Sequence, residues 1–459
     1  MKKLALTIAS VAAIVTFAPE ASALPVFARQ VGMACSACHF QHFPLLNSFG
    51  RAFKANGFTM MGTQPLIEGD NGLSIPDRLN IAGLTTIFYS SQSNDNNSPH
   101  VGVPAFGGEA SLFYGGRVSE NAGFLSELGT GGAAAAVSAA KLVVLYPVGD
   151  NRAGLAAFTT GQGAGYGMEL LNTGAVDAHK MMGNDGFQGQ HGNAAYAARY
   201  MGAITSATGA SLVADGTWGF ANVGVYAPVA NGDGAPAKAL SLTYGRVAGM
   251  FDLGGWDSAA GVQVFGGSAC SKDTAAVAGN VPGTATYDPA QPIALGSDFA
   301  AGACTDYALT IVDGQMQGEI GGMPVGFYAE YGVAPANSNG TSANAFAAGG
   351  SQLGGGKANL KVTTLNVATS IEVVTGATVQ FAARFAKLDD ASTTGANAAI
   401  AGNDNAFMIG VTYQLAQNLN LGANYTVQSG SAWDAAAAAN NGVDPTGKTA
   451  GTIALTALF

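Results

Sequence analysis

Residues 405–428 read "NAFMIGVTYQLAQNLNLGANYTVQ", and the spacing of their apolar side chains decides the fold. Phe407, Ile409, Val411, Tyr413 and Leu415 fall on one parity; after the tight turn Ala416-Gln417-Asn418 it resumes with Leu419, Leu421, Ala423, Tyr425 and Val427. The other parity holds Thr412, Gln414, Asn420, Asn424 and Gln428. Successive strand side chains point to opposite faces, so this is a β-hairpin with one apolar and one polar face. A soluble sandwich, apolar inside, and a membrane barrel, apolar outside, share that pattern.

Three features favour the barrel. The chain ends "GTIALTALF", with Ile453, Leu455, Ala457 and Phe459 on one face, similar to the closing strand of outer-membrane barrels. The polar parities carry Thr, Asn, Gln and Gly instead of the Lys and Glu of a solvated surface. The connections also alternate short and long. Short ones fall at 119–121, 148–151, 214–216, 252–257, 321–324, 375–376 and 416–418; longer ones at about 91–108, 131–136, 161–192, 228–238, 268–304, 334–356, 388–404 and 429–448. Seven short and eight long connections join about sixteen antiparallel strands. The expected fold is all-β: a transmembrane outer-membrane β-barrel over residues 77–459, with lipid around it. An even strand count places both chain ends at the periplasmic face and the long loops outside.

Composition agrees. Only 10% of residues are charged and 66 are glycine, unlike a soluble enzyme of this length. The chain opens "MKKLALTIASVAAIVTFAPEASALP", with a basic start, an apolar core and a small-residue cleavage site, so residues 1–23 read as a secretory signal peptide. Losing Lys2, Lys3 and Glu20 takes the formal charge of −10 one unit more negative. That sign argues against nucleic acid and favours cationic partners. No later stretch offers the roughly 18 unbroken apolar residues of a spanning helix. Cys270 and Cys304 bracket the longest well-defined outer loop, where an exported protein is expected to form a disulfide.

Residues 24–76 carry a different signal. Cys35-Ser36-Ala37-Cys38-His39 has the spacing of a c-type haem attachment site: two thiols for the vinyl groups and an imidazole for the iron. A redox dithiol would want a βαβ surround, and a zinc site more ligands than the neighbouring His42. A short helix follows, with Pro44 at its first position, Leu45, Leu46, Phe49 and Phe53 on one stripe, and Asn56-Gly57 as its stop. Arg51 and Lys54 lie off that stripe, where they could pair with haem propionates or face solvent. For the sixth iron position the leading candidates are Met60 and Met61, after the chain reverses at Gly57, with His42 behind them; either methionine could instead fill a core gap. The segment is too small to bury a haem alone, whereas a sixteen-strand barrel has a lumen to fill, so it is expected to enter from the periplasm and plug the barrel.

"FARQVGMACSACHFQHFPLLNSFGRAFKANGFTMMG", Phe27 to Gly62, followed by a glycine-rich barrel, resembles the fused monohaem cytochrome–porins of the bacterial outer membrane, best known from Fe(II) oxidisers. That resemblance implies one covalent haem c on Cys35 and Cys38 with His39 on its iron. It also implies electron transfer from an extracellular donor such as Fe(II) to a periplasmic c-type cytochrome, an iron:cytochrome c oxidoreductase activity. Another donor, reversed flow, or a diffusion porin with a haem-bearing plug are the alternatives, and a soluble periplasmic β-protein is the fold-level one. His100, His179, His191, Asp95, Asp185 and Asp404 fall in expected outer loops, where they could hold Fe(II) transiently or be ordinary polar loop residues.

Overall fold

Runs rich in Val, Thr, Tyr, Phe and Gly, with apolar and polar side chains alternating, form long strands that close on themselves. The protein is described by a computed structural model over residues 25–93, 100–101, 109–129, 136–181, 188–229, 240–270, 304–336, 344–348, 360–390, 401–439 and 447–459. The signal segment 1–23, Asp95 and Asp185 lie outside them.

Among the described residues sixteen long antiparallel strands make one closed barrel. They are β1 (Asn80–Gln92), β2 (Glu109–Ser119), β3 (Ala122–Gly129), β4 (Ala136–Val148), β5 (Asn151–Thr160), β6 (Ala207–Gly216), β7 (Gly219–Ala227) and β8 (Leu242–Leu253). The circuit continues through β9 (Trp256–Cys270), β10 (Leu309–Ile320), β11 (Met323–Ala334), β12 (Leu360–Val374), β13 (Ala377–Asp390), β14 (Gly402–Ala416), β15 (Leu419–Ser429) and β16 (Thr449–Leu458). Pairing of β16 with β1, from Leu458↔Leu84 to Ala450↔Gln92, closes the ring and leaves no open edge.

All seven expected tight turns are present, although the one placed at 214–216 lies at Thr217-Trp218. Two of them, Gly254-Gly255 (φ 63° and 86°) and Gly321-Gly322 (60° and 81°), need positive φ at both central positions, the geometry that matches strand twist and that glycine adopts without strain.

The faces settle which solvent the barrel meets. Phe407, Ile409, Val411 and Leu415 of β14 are exposed, while Asp404, Met408 and Gln414 on the other parity are buried. Leu212, Val223, Val247, Val262 and Val312 continue the exposed apolar band around the wall. Exposed aromatics edge it at both ends: Tyr146, Trp218 and Phe251 near the short turns, and Tyr89, Tyr331, Phe385 and Tyr425 near the long connections. An apolar exterior between aromatic rims is that of a barrel in lipid. Replacing Ile409, midway along β14, with arginine is expected to cost about 2–4 kcal/mol in a lipid bilayer. Denaturant titration of liposome-folded protein would show it as a lowered midpoint; an unchanged midpoint would place that face away from lipid.

On the connection between β9 and β10, the backbone register sets Cys270 directly opposite Cys304, a separation compatible with a disulfide, although both side chains lie outside the described residues. Peptide mapping without reductant is expected to recover the two cysteines in one crosslinked fragment; two separate free thiols would contradict the pairing.

Candidate functional site in the lumen

The lumen is filled from both ends. Residues 25–64 enter at the short-turn end as helix α1 (Pro25–Val31), a 3₁₀ turn (Cys35–Ala37) and helix α2 (Ser48–Ala55). Their tethers reach strands all around the wall: Arg29 donates to the Ile81 carbonyl on β1, Gln41 Nε2 to Pro324 O (2.8 Å) and Ser370 O (3.1 Å) on β11 and β12, and Arg51 is ion-paired with Asp257 on β9. A segment that touches such widely separated strands must sit inside the ring. The chain then leaves through a small exposed hairpin, Leu66–Glu68 with Ser74–Pro76, before β1.

From the other end, the connection between β5 and β6 folds inward, contrary to its expected place outside. Inward-facing carboxylates and amides of the wall capture its backbone: Gln315 Oε1 accepts from Asn172 N (2.7 Å), Gln263 Oε1 from Ala175 N (2.8 Å) and Glu330 from Ala198 N (2.9 Å). Helix α3 (Gln188–Ala195) continues this layer, and Asn366 Nδ2 donates to Asn193 O and Ala194 O at 3.0 Å. Buried polar groups need partners, and each side supplies the other's. His179 and His191 are therefore buried inside the lumen, and Asp404 is in β14, ion-paired with Arg384. The backbone of His100 pairs with Ser90 of β1, and its side chain lies outside the described residues.

The cysteine motif sits between these two layers. The 3₁₀ turn brings His39 N to Cys35 O at 3.0 Å, and Phe40 N to Leu45 O at 3.0 Å folds the chain back on itself. Pro44 and Leu45 thus belong to that reversal, and α2 begins later than expected, at Ser48, because the Asn47 side chain caps it by accepting from Gly50 N at 2.9 Å. Gly50 lies so close to the motif that a Cβ there would fall 2.0 Å from Cys38 O. Gly57, at φ 63°, ends the helix as expected.

Against the motif lies a mostly apolar cavity. Cys35, Cys38 and His39 line it, as do Phe27, Phe43, Phe53 and Phe58 of the plug. Phe27 packs on Phe58 and Phe53 with ring centroids 4.8 and 5.0 Å apart. Leu125 and Lys141 of the wall and Tyr166 and His179 of the inward connection complete it.

Two lysines reach this apolar cavity. Lys141 Nζ donates to Tyr166 O at 2.9 Å and lies 4.3 Å from the Tyr166 ring centroid. Lys54, 8% exposed, has no hydrogen-bond or ion-pair partner for its ammonium among the described residues. Burial pulls its pKa down to about 8, partly opposed by the Glu169 carboxylate, so it is a cation at neutral pH. Burial lowers His39 to about 4, against the Leu45 carbonyl, and keeps the imidazole neutral, the form that binds metal. Burial, then the neighbouring Cys35, raises Cys38 to about 11, the opposite of an activated redox thiol.

The other expected site residues are elsewhere. Arg51 is buried but turned to Asp257 and to Gln317 Oε1 (3.3 Å), away from the cavity. Met60 packs against the Phe53 and Phe58 cluster, and neither it nor Met61 lines the cavity. His42 has both nitrogens engaged, Nδ1 with Phe43 O (2.7 Å) and Nε2 with Gln380 Nε2 (2.9 Å).

No protein-family model matches the sequence, and no curated protein matches it. Several solved structures are similar to it. OmpT of Vibrio cholerae is 12% identical over 86% of this chain and 100% of its own, with a TM-score of 0.45. OmpF of Salmonella typhi, solved with daunomycin, is 11% identical over 86% of this chain and 100% of its own, again at 0.45. OccK1 of Pseudomonas aeruginosa is 11% identical over 83% of this chain and 98% of its own, at 0.38.

Proposed function

We propose that this chain is an electron conduit of the bacterial outer membrane, in which a one-haem cytochrome plug takes electrons from an extracellular donor and passes them to a periplasmic c-type cytochrome. The observation that carries it is the cavity itself: the only CxxCH motif of the chain lines an apolar space that the buried Lys54 lines as well. Haem c, when bound there, supplies a one-electron Fe(III)/Fe(II) couple.

The residues fit that group. Cys35 and Cys38, one 3₁₀ turn apart, present two thiols at one rim for thioether bonds. His39 Nδ1 donates to Leu45 O at 2.9 Å, which fixes the tautomer and leaves Nε2 as the ligating nitrogen. Lys54 and Lys141 line the cavity where ammonium groups would pair with propionates, the role read from the sequence for Arg51 and Lys54. Phenylalanines line the cavity, and plug and inward connection both occupy the lumen. Fe(II) is the donor that the sequence resemblance favours, as substrate and not as a resident metal.

Planar-bilayer recording separates this reading from a diffusion porin. The intact protein is expected to pass little ion current. A large, steady porin-like conductance, with any physiological role surviving His39→Ala, would favour the diffusion porin.

A further inference from the structure

The buried histidine of the inward connection has no role in the reading so far. We infer that His179 would supply the haem iron with a second protein ligand beside His39, so that plug and inward connection would both hold the group. This assignment rests on the proposed haem site.

His179 is 2% exposed and lines the same cavity as His39. Its Nε2 lies 3.3 Å from Glu169 O, the weak backbone anchor that sets a ligating histidine's tautomer. Its Nδ1 is buried and has no hydrogen-bond partner among the described residues. A buried acceptor without a donor is costly, and an iron atom would satisfy it. His39 is likewise held at one ring nitrogen by a main-chain carbonyl, Nδ1 on Leu45 O.

Met33 also lines the cavity, two residues before Cys35 on the same stretch as His39; His42, His191 and Met60 are committed elsewhere. The chain has five histidines, and the His100 side chain lies outside the described residues. His42 is fully hydrogen-bonded, and His191 lies between Thr426 Oγ1 (2.7 Å) and Thr452 Oγ1 (3.1 Å). Met60 is turned into the plug's aromatic cluster, its carbonyl accepting from Gln30 Nε2 at 2.7 Å.

The backbone around His179 is fixed without any cofactor. Lys180 Nζ donates to Asn172 O (3.0 Å) and Gly174 O (2.5 Å), and Asp177 N donates to Gln162 O (3.1 Å) while its carboxylate pairs with Arg199. Such a prepaid position suits a metal ligand. Two imidazoles would also give a lower reduction potential than the histidine–methionine pair expected from the sequence.

The test uses the full-length mature holoprotein in detergent, read by ferric electron paramagnetic resonance and optical spectra, with haem per chain from the pyridine haemochromogen. The wild type is expected to be low-spin and to lack the weak near-red band of a thioether–iron bond. His179→Ala should lose the low-spin signal at unchanged haem content, and added imidazole should restore it; Met60→Ala and Met61→Ala should leave the spectra as they were. His179→Gln, which can keep a hydrogen bond to Glu169 O, repeats the test if the alanine variant fails to fold. A thioether band that disappears in Met60→Ala or Met61→Ala, or a low-spin signal that survives both His179 substitutions, overturns the assignment while leaving the haem site standing. Absence of covalent haem from the wild type overturns both.

Discussion

Replacing Cys35 and Cys38 together by serine is expected to abolish covalent haem and every donor-driven absorbance change, while the barrel still folds. Serine nearly preserves side-chain volume and leaves the 3₁₀ turn intact, since its hydrogen bonds are main-chain ones, His39 N to Cys35 O among them. What disappears is the nucleophilic sulfur, without which no thioether forms. Nothing in the wall depends on it: β1 to β16 are joined by continuous main-chain pairing closed at β16–β1. Haem staining after denaturing electrophoresis should fall from one haem per chain to none, and the variant should keep the heat-modifiable mobility of a membrane barrel. Covalent haem surviving in the double variant would refute the attachment site.

Arg246→Met is expected to have the largest effect on stability. Arg246 projects from β8 into the lumen with a fully buried side chain. Its Nη1 and Nη2 donate to Asp313 at 2.5 and 2.8 Å, and Nε lies 3.2 Å from the Glu169 carboxylate. Methionine fills the space but leaves two carboxylates buried with no cation between them. Removing one partner of a buried ion pair costs about 3–5 kcal/mol, because the remaining charge is uncompensated. Burial already raises the Glu169 pKa, and Arg246 opposes that rise, so Glu169 would take up a proton more readily in the variant. The inward connection should loosen first, since Asp313 also accepts from Thr173 and Glu169 caps Leu170 N and Leu171 N. Denaturant titration should show a lowered midpoint, and adding Asp313→Leu and Glu169→Leu should recover part of it. A loss below about 1 kcal/mol would mean that water reaches these charges and screens them.

The wall of this barrel was legible because its information is local. Alternation in 405–428 gives strand, face and turn at once, and glycine or asparagine marks six of the seven tight turns, all but Thr217-Trp218, so the strand number follows. The lumen was legible only in part. The glycine- and histidine-containing connection at 161–206 has a composition compatible with either side of the membrane. Its inward course is set by Gln263, Asp313, Gln315 and Glu330, which lie far along the chain on other strands. Carboxylates on the polar parity of mid-strand positions were the available signal, since such groups require buried partners. Asp404 is such a group, read as loop but placed in a strand with Arg384.

Within the site, Cys35, Cys38 and His39 follow from spacing alone. Lys54 was visible only as one of two cations on a short helix, and the choice between it and Arg51 turned on Asp257, two hundred residues away. Lys141 and His179 could not be associated with the motif from sequence, because their proximity depends on barrel closure and on the inward fold.

The central claim is that this barrel holds a haem reducible by an external donor. Its most direct test is an anaerobic optical spectrum of the purified, air-oxidised protein before and after Fe(II) is added. The sharp α-band of reduced c-type haem should appear with Fe(II) alone and reach the height that dithionite gives. A protein with no haem band under dithionite would contradict the cytochrome reading, and a band that dithionite produces but Fe(II) does not would contradict Fe(II) as the donor.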